Sequence, residues 1–312
     1  MLIVATASVL LTSCEDDDKL PKAQTGTEVT DEENTNRNPT TVSADYGRLE
    51  LPRLKGGDNN VILVRRVPNY GINYIIEYDK TKRSQRWTCW QWYNGNSGTS
   101  WNRNYWDKQT DNEWAMRNLR DYGWGDPFQP DPDLPVGART ELEDYYDSGY
   151  QRGHICASGD RLNSKDANEQ TFYLSNIMPQ SYALNNGSWQ DMENHVRNKW
   201  NTSAFRRVLY VVKGGTIDGG NVKGYTGTNL LIPKYFFMAL LCEDQQGGYK
   251  ALGFLVEHTN QYSSGTPLRN FVVSISELEK LTGIDFFCNL PDATERRVET
   301  ATKSEIIKDW GL

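Results

Sequence analysis

The sequence predicts an α+β fold, a central antiparallel β-sheet with flanking helices, from three observations. The first half is built of short β-branched and aromatic runs, one stretch near the middle has helical apolar spacing, and the chain then returns to strand-like runs broken by Gly-Gly pairs. With 312 residues, 37% hydrophobic, and with 10 Trp and 17 Tyr, the chain can bury a full core. A single folded domain of about 260 residues is within the size that one core supports.

Val61-Ile62-Leu63-Val64 and Tyr74-Ile75-Ile76-Glu77-Tyr78 read as strands separated by Pro68-Asn69-Tyr70-Gly71, and Trp87 to Tyr93 continues the style. Asp126-Pro127, Gln129-Pro130-Asp131-Pro132 and Leu134-Pro135 form a loop, because proline lacks the amide that regular elements need. Trp189, Met192, Val196 and Trp200 recur at spacings of three and four and mark a helix with one apolar face. Val208 to Lys213, Tyr235 to Cys242 and Ala251 to Glu257 are strands. Ser274 or Ser276, placed before Glu277 to Leu281, caps a further helix. No internal repeat is visible, which excludes a solenoid.

Met1 to Leu11 is apolar but shorter than the roughly 20 residues of a membrane span. It leads into Leu11-Thr12-Ser13-Cys14 and resembles the tail of a bacterial lipoprotein signal peptide, with Cys14 as the lipidated residue. Glu15-Asp16-Asp17-Asp18 resembles the surface-export signal of Bacteroidetes lipoproteins. The expected organisation is a signal segment over 1–14, a flexible acidic tether over 15–45 and a folded domain over 46–312. The expected location is the cell envelope, at the outer membrane or cell surface.

The formal charge of −7 is concentrated at the front: residues 1–45 carry nine acidic and three basic side chains. The rest is nearly neutral, so a polyanionic partner is not excluded, although no broad basic field is present. Beyond Cys14, the cysteines are Cys89, Cys156, Cys242 and Cys288. None forms a C-x-x-C pair, and His154, His195 and His258 are scattered among them, which argues against a zinc site. In an oxidising compartment, two disulfides in any of three connectivities compete with four buried thiols.

The chemistry is concentrated in three blocks: Ser148-Gly149-Tyr150-Gln151-Arg152-Gly153-His154, Asn176-Ile177-Met178-Pro179-Gln180, and Leu184-Asn185-Asn186-Gly187-Ser188-Trp189 followed by Glu193. An arginine and a histidine on one tight Gly-containing turn, with an amide-rich segment opening a helix downstream, supply a phosphate clamp, a general base and a neutral metal ligand. The blocks resemble the DNA/RNA non-specific endonuclease family, the ββα-metal or His-Me finger nucleases, most strongly from about Asp144 to Trp200. One position departs: Gln151 stands where the family has aspartate. The resemblance implies a metal-dependent endonuclease acting on DNA and RNA, with Mg²⁺ (or Mn²⁺) as cofactor and 5′-phosphorylated products. A Cys242 to Cys288 bridge, comparable to one in some secreted relatives, would tie a late strand to the C-terminal region.

His154 is the expected general base, since its unperturbed pKa near 6.5 leaves a neutral imidazole at neutral pH. Asn185 is the expected metal ligand, its amide oxygen suiting a hard cation. Glu193 lies eight residues on, about 12 Å along a helix axis, and is expected to act behind the ion through a water. Asn176 either orders the loop or joins the ion's surroundings. Arg152 faces the scissile phosphate. The resemblance implies a second arginine upstream, for which Arg103-Asn104-Tyr105-Trp106 is the nearest match to the family's Arg-Asn-Trp block, with Arg139 and Arg161 as competitors. The aromatic cluster from Trp87 to Trp106 either stacks bases or packs the core. His195 and His258 are expected to be satisfied packing residues. A competing class is a surface-tethered nucleic-acid or glycan-binding module with catalysis lost: Gln151 favours it, and the joint presence of Arg152, His154, Asn185 and Glu193 argues against it.

Overall fold

The computed structural model describes residues 33–108, 116–117 and 125–312. In chain order the strands are β1 (Asn60–Val67), β2 (Gly71–Asp79), β3 (Ser84–Trp92), β4 (Gln151–His154), β5 (Ile177–Gln180), β6 (Val208–Gly215), β7 (Val222–Tyr225), β8 (Leu231–Pro233), β9 (Tyr235–Glu243), β10 (Tyr249–Glu257) and β11 (Val272–Val273). The α-helices among the described residues that matter here are α1 (Lys165–Gln170), α2 (Tyr182–Asn185), α3 (Ser188–His195), α4 (Ile275–Thr282), α5 (Asp292–Glu299) and α6 (Lys303–Trp310).

Seven strands form one sheet in the order β1-β2-β3-β6-β9-β10-β11, each pair antiparallel. Side chains alternate across a strand, and β9 divides cleanly. Phe236, Met238, Leu240 and Cys242 enter one core, and Phe237, Ala239 and Leu241 the other. Both faces are covered, which is why these strands read as continuous apolar runs and not as alternating ones. The first face is packed by Met178, Leu184, Trp189, Met192 and Trp310, the second by Leu51, Leu278, Phe286 and Val298. Everything bearing on the site lies over the first face.

The helical spacing from Trp189 to Trp200 holds. Helix α3 runs into a π-helical turn over Val196–Trp200, and all four spaced apolar residues are buried. Ser274 is the cap of α4 and closes a capping box with Glu277. Helices α1, α5 and α6 were not anticipated, although Ser164 caps α1 and Thr302 forms a capping box with Glu305 at α6.

Two expectations need correction, and one choice between alternatives is decided. Residues 33–45, expected in the tether, include contacts to the folded domain: Asn34 Nδ2 donates to the Leu290 carbonyl at 2.7 Å, the Thr35 amide to Asp292 Oδ1 at 3.0 Å, and Asn38 Nδ2 to the Pro52 carbonyl at 3.0 Å. Short polar residues that read as linker composition instead exchange hydrogen bonds with Leu290 and Asp292 of the C-terminal region and with Pro52. The Cys242–Cys288 bridge is not formed. All four described cysteines are free and buried; Cys242 faces the first core, whereas Cys288 contacts the Leu51 carbonyl beside the second. The sheet separates them. Of the two uses open to the Trp87–Trp106 cluster, core packing is the one taken by Trp87, Trp90, Trp92 and Trp106, which are buried, while Tyr105 is exposed. Cys14 and the signal segment lie outside the described residues, and among the described residues no helix is long and apolar enough to cross a membrane.

Candidate active site

Arg152 and His154 sit on β4, paired with β5 in the register Gln151↔Gln180, Gly153↔Met178, His154↔Ile177. The expected tight turn is therefore a strand; the turn precedes it, at Asp147 (φ 52) and Gly149 (φ 77). A spacing of two along a strand puts Arg152 and His154 on the same face. Gly153 between them is required sterically, since a Cβ there would lie 2.3 Å from Gln180 Cδ.

Arg152 Nη1 donates to Asp126 Oδ2 at 2.7 Å, and its guanidinium lies 4.0 Å from the centre of the Phe128 ring. Asp126 is buried. The arginine's carboxylate partner thus comes from the proline-dense loop and not from position 151. The His154 ring packs between Phe128 (5.2 Å) and Phe172 (5.0 Å). Arg103, in a 3₁₀ turn over Arg103–Lys108, lies 5.2 Å from the Phe172 centroid. Burial pushes the His154 pKa well below its ordinary value, and the charges of Arg103, Arg152 and Lys213 push in the same direction. The imidazole is neutral at neutral pH, and its buried Nε2 has no hydrogen-bond partner among the described residues.

Of the arginines that compete with Arg103, Arg139 pairs with Glu141 at 2.6 Å. Arg161 is buried against the carbonyls of Asn73, Asp160 and Gln91. Arg161 is thus taken up by the interior and Arg139 by its neighbour Glu141. Asn176 is also structural. Its Oδ1 accepts from the Cys156 amide at 2.9 Å while Nδ2 donates to the Cys156 and Thr171 carbonyls. With its oxygen committed to a buried amide it orders the loop, and its expected place around an ion is withdrawn.

Asn185 is half-buried at the end of α2, and Gly187 joins α2 to α3 where a Cβ would lie 2.2 Å from the Ala183 carbonyl oxygen. The start of α2 is fixed from outside. Ser181 caps it, and the Ser181 amide donates to His258 Nε2 at 2.8 Å, with His258 Nδ1 2.9 Å from the Pro233 carbonyl. Burial holds the His258 pKa down to about 4 against the opposing Pro233 hydrogen bond, so this histidine is a neutral strut. His195 packs edge-on against Trp200 at 4.6 Å.

Glu193, on α3, pairs with Lys213 of β6 at 2.5 Å. Burial raises the Glu193 pKa, opposed by Lys213. Asp126, Phe128, Phe172 and Lys213 were missed from the sequence. Lys213 alone left a signal, as a cation ending the apolar run Val208 to Val212. Asn185 and Glu193 offer oxygen donors, with no cysteine or second histidine in the set, which fits a hard divalent cation of the Mg²⁺ or Mn²⁺ kind.

The sequence model of the DNA/RNA non-specific endonuclease family matches residues 64–293. Nuclease C1 of Cunninghamella echinulata var. echinulata is 33% identical over 193 residues, spanning 59% of this chain and 75% of the relative. The mitochondrial nuclease EXOG of Danio rerio is 29% identical over 266 residues, spanning 82% and 68%. A chain in the crystal structure of the EndoG/EndoGI complex superposes with a TM-score of 0.60 at 22% identity, covering 81% of this chain and 94% of that one, a likeness of fold.

Proposed function

This chain belongs to the DNA/RNA non-specific endonuclease family, and from that premise we propose that it is a metal-dependent endonuclease that hydrolyses phosphodiester bonds of DNA and RNA with little sequence preference. The observation that carries the reading is the His154 ring, with its Nε2 lacking a hydrogen-bond partner among the described residues and its pKa held down by burial and by the nearby Arg103 and Arg152. Nε2 takes the proton of the attacking water. Arg152, braced by Asp126 and Phe128, offers a fixed guanidinium to the charge that develops on the phosphoryl oxygens, and Arg103 adds a second positive group. Asn185 would hold a Mg²⁺ or Mn²⁺ ion, with Glu193 acting behind it through water. When bound, that ion supplies Lewis-acid polarisation of the phosphate and stabilises the leaving oxygen. The module without catalysis loses its one supporting feature, because Asp126 gives Arg152 the carboxylate that Gln151 does not.

The test is incubation of the protein with plasmid and with RNA, in Mg²⁺ and in EDTA. Cleavage of both in Mg²⁺ and of neither in EDTA is expected. Intact substrates in Mg²⁺ would remove the reading. From Met1–Leu11 and Cys14 we further infer export and a lipid anchor, for which loss of membrane association in Cys14→Ala is the check.

A further inference from the structure

We propose that Lys213 is a positioning residue of the cleavage reaction, its buried ammonium fixing Glu193 as an aimed carboxylate; this rests on the nuclease reading above. Lys213 is 2% exposed, on a central strand between Thr88 of β3 and Met238 of β9. Its Nζ lies 2.5 Å from Glu193 Oε1, 4.7 Å from the centre of the Trp189 ring and 5.6 Å from that of Trp90. Trp189 and Glu193 are four residues apart on α3 and so share a face, which makes one turn of helix a seat for the ammonium.

As a device for stability the pair is a poor choice. Burying two charges costs about as much as their attraction returns, and two apolar side chains of similar volume would join helix to sheet at least as well. The carboxylate that is paired is, moreover, the one the candidate site uses. Three charged groups face Glu193 from three elements. Lys213 of β6 and Arg197 of the π-helical turn favour its ionised form, and Asp160 of the 3₁₀ turn Ser158–Asp160 opposes it. Asp160 is itself held by Arg197 at 2.7 Å. Lys213 is thus the charged group in direct contact with the Glu193 carboxyl, and that contact fixes where it points.

The test is a double-mutant cycle of Lys213→Met, Glu193→Gln and the pair, with kcat and KM read at pH 8. There His154 is neutral with or without the nearby ammonium. Lys213→Met should lower kcat by about 10- to 100-fold at little change in KM. In the Glu193→Gln background the same change should alter kcat by less than about threefold, because a residue acting through another has nothing left to act on. Calorimetric Mg²⁺ binding should weaken in Lys213→Met. Additive losses, or a wild-type kcat in Lys213→Met, overturn the proposal. Should Lys213→Met alone fail to fold, comparing Glu193→Gln with the double variant decides it, since that double leaves no lone charge buried. A wild-type protein that cuts neither plasmid nor RNA would instead remove the nuclease reading itself.

Discussion

His154 is neutral because burial and three cations disfavour its protonated form, and this sets the pH behaviour of the site. A base with a depressed pKa works until the pH falls through that lowered value, so kcat/KM should hold at pH 6.5 and decline only below it. Arg103→Ala removes one of the depressing charges, and the acid limb should move up towards 6.5. A limb that stays in place would show that Arg103 does not sense the imidazole. His154→Ala should cost on the order of 10²- to 10⁴-fold with the fold intact, as read by plasmid cleavage and circular dichroism together. At Arg152 the informative pair is Asp126→Ala and Gln151→Asp. The first removes a charge-assisted hydrogen bond worth about 1.5–3 kcal/mol and should slow cleavage about 10- to 100-fold. The second should change the rate by less than about tenfold, or 1.4 kcal/mol, because the arginine already has its carboxylate.

At the scale of elements, the paired strands β4 and β5 and the α2–α3 corner are closely packed at Gly153 and Gly187. Gly153→Ala would drive a methyl group into the buried Gln180 side chain and should cost about 1–3 kcal/mol of unfolding free energy, as overpacking does. The double variant Gly153→Ala/Gln180→Ala should recover most of that in urea denaturation. If it does not, the glycine serves the backbone and not the packing. The helix was legible in outline from the spacing Trp189, Met192, Val196, Trp200, and the site's residues from the three motif blocks. That Arg152-Gly153-His154 is a strand was not legible, because a four-residue segment with a glycine carries no period. Its pairing with β5, 23 residues or more along the chain, makes it one.

At the scale of the whole molecule, the N-terminal segment from residue 33 and helices α4 and α5 enclose a group of carboxylates. Ligand atoms of Glu279, Asp285 and Glu299 lie within 4.8 Å of one another, and Glu295 accepts from Asn36 at 2.8 Å. Burial raises all four, and repulsion from neighbouring carboxylates adds to it at Glu279 and Glu295, at about 7, and at Glu299, at about 9. An acid whose folded pKa exceeds its unfolded value binds more protons when folded. Its stabilising contribution is therefore full below about 4.3, the unperturbed glutamate value, and is lost as pH rises through the folded value. His258 acts in the opposite sense, destabilising as pH falls from about 6.5 towards its folded value of about 4. The melting temperature should accordingly fall between pH 6.5 and 9, and Glu299→Gln should flatten that fall. A slope unchanged in the variant would exclude this cluster as its source.

Neighbouring residues alone carry the α+β class, six of the seven strands of the sheet, the helix after the motif and the blocks containing Arg152, His154, Asn185 and Glu193, because periods, caps and short motifs are local properties. Only the tertiary structure decided which distant groups meet them. Asp126 reaches Arg152 across 26 residues, Lys213 reaches Glu193 across 20, and His258 reaches Ser181 across 77. Asn176 shows the same limit from the other side, since its type allowed an ion ligand and its burial against Cys156 and Thr171 removed that use. A local pattern records what a side chain can do. The partner that makes it do so is chosen by the packing of elements far apart in the chain, where desolvation raises both the strength of a correct contact and the cost of a missing one.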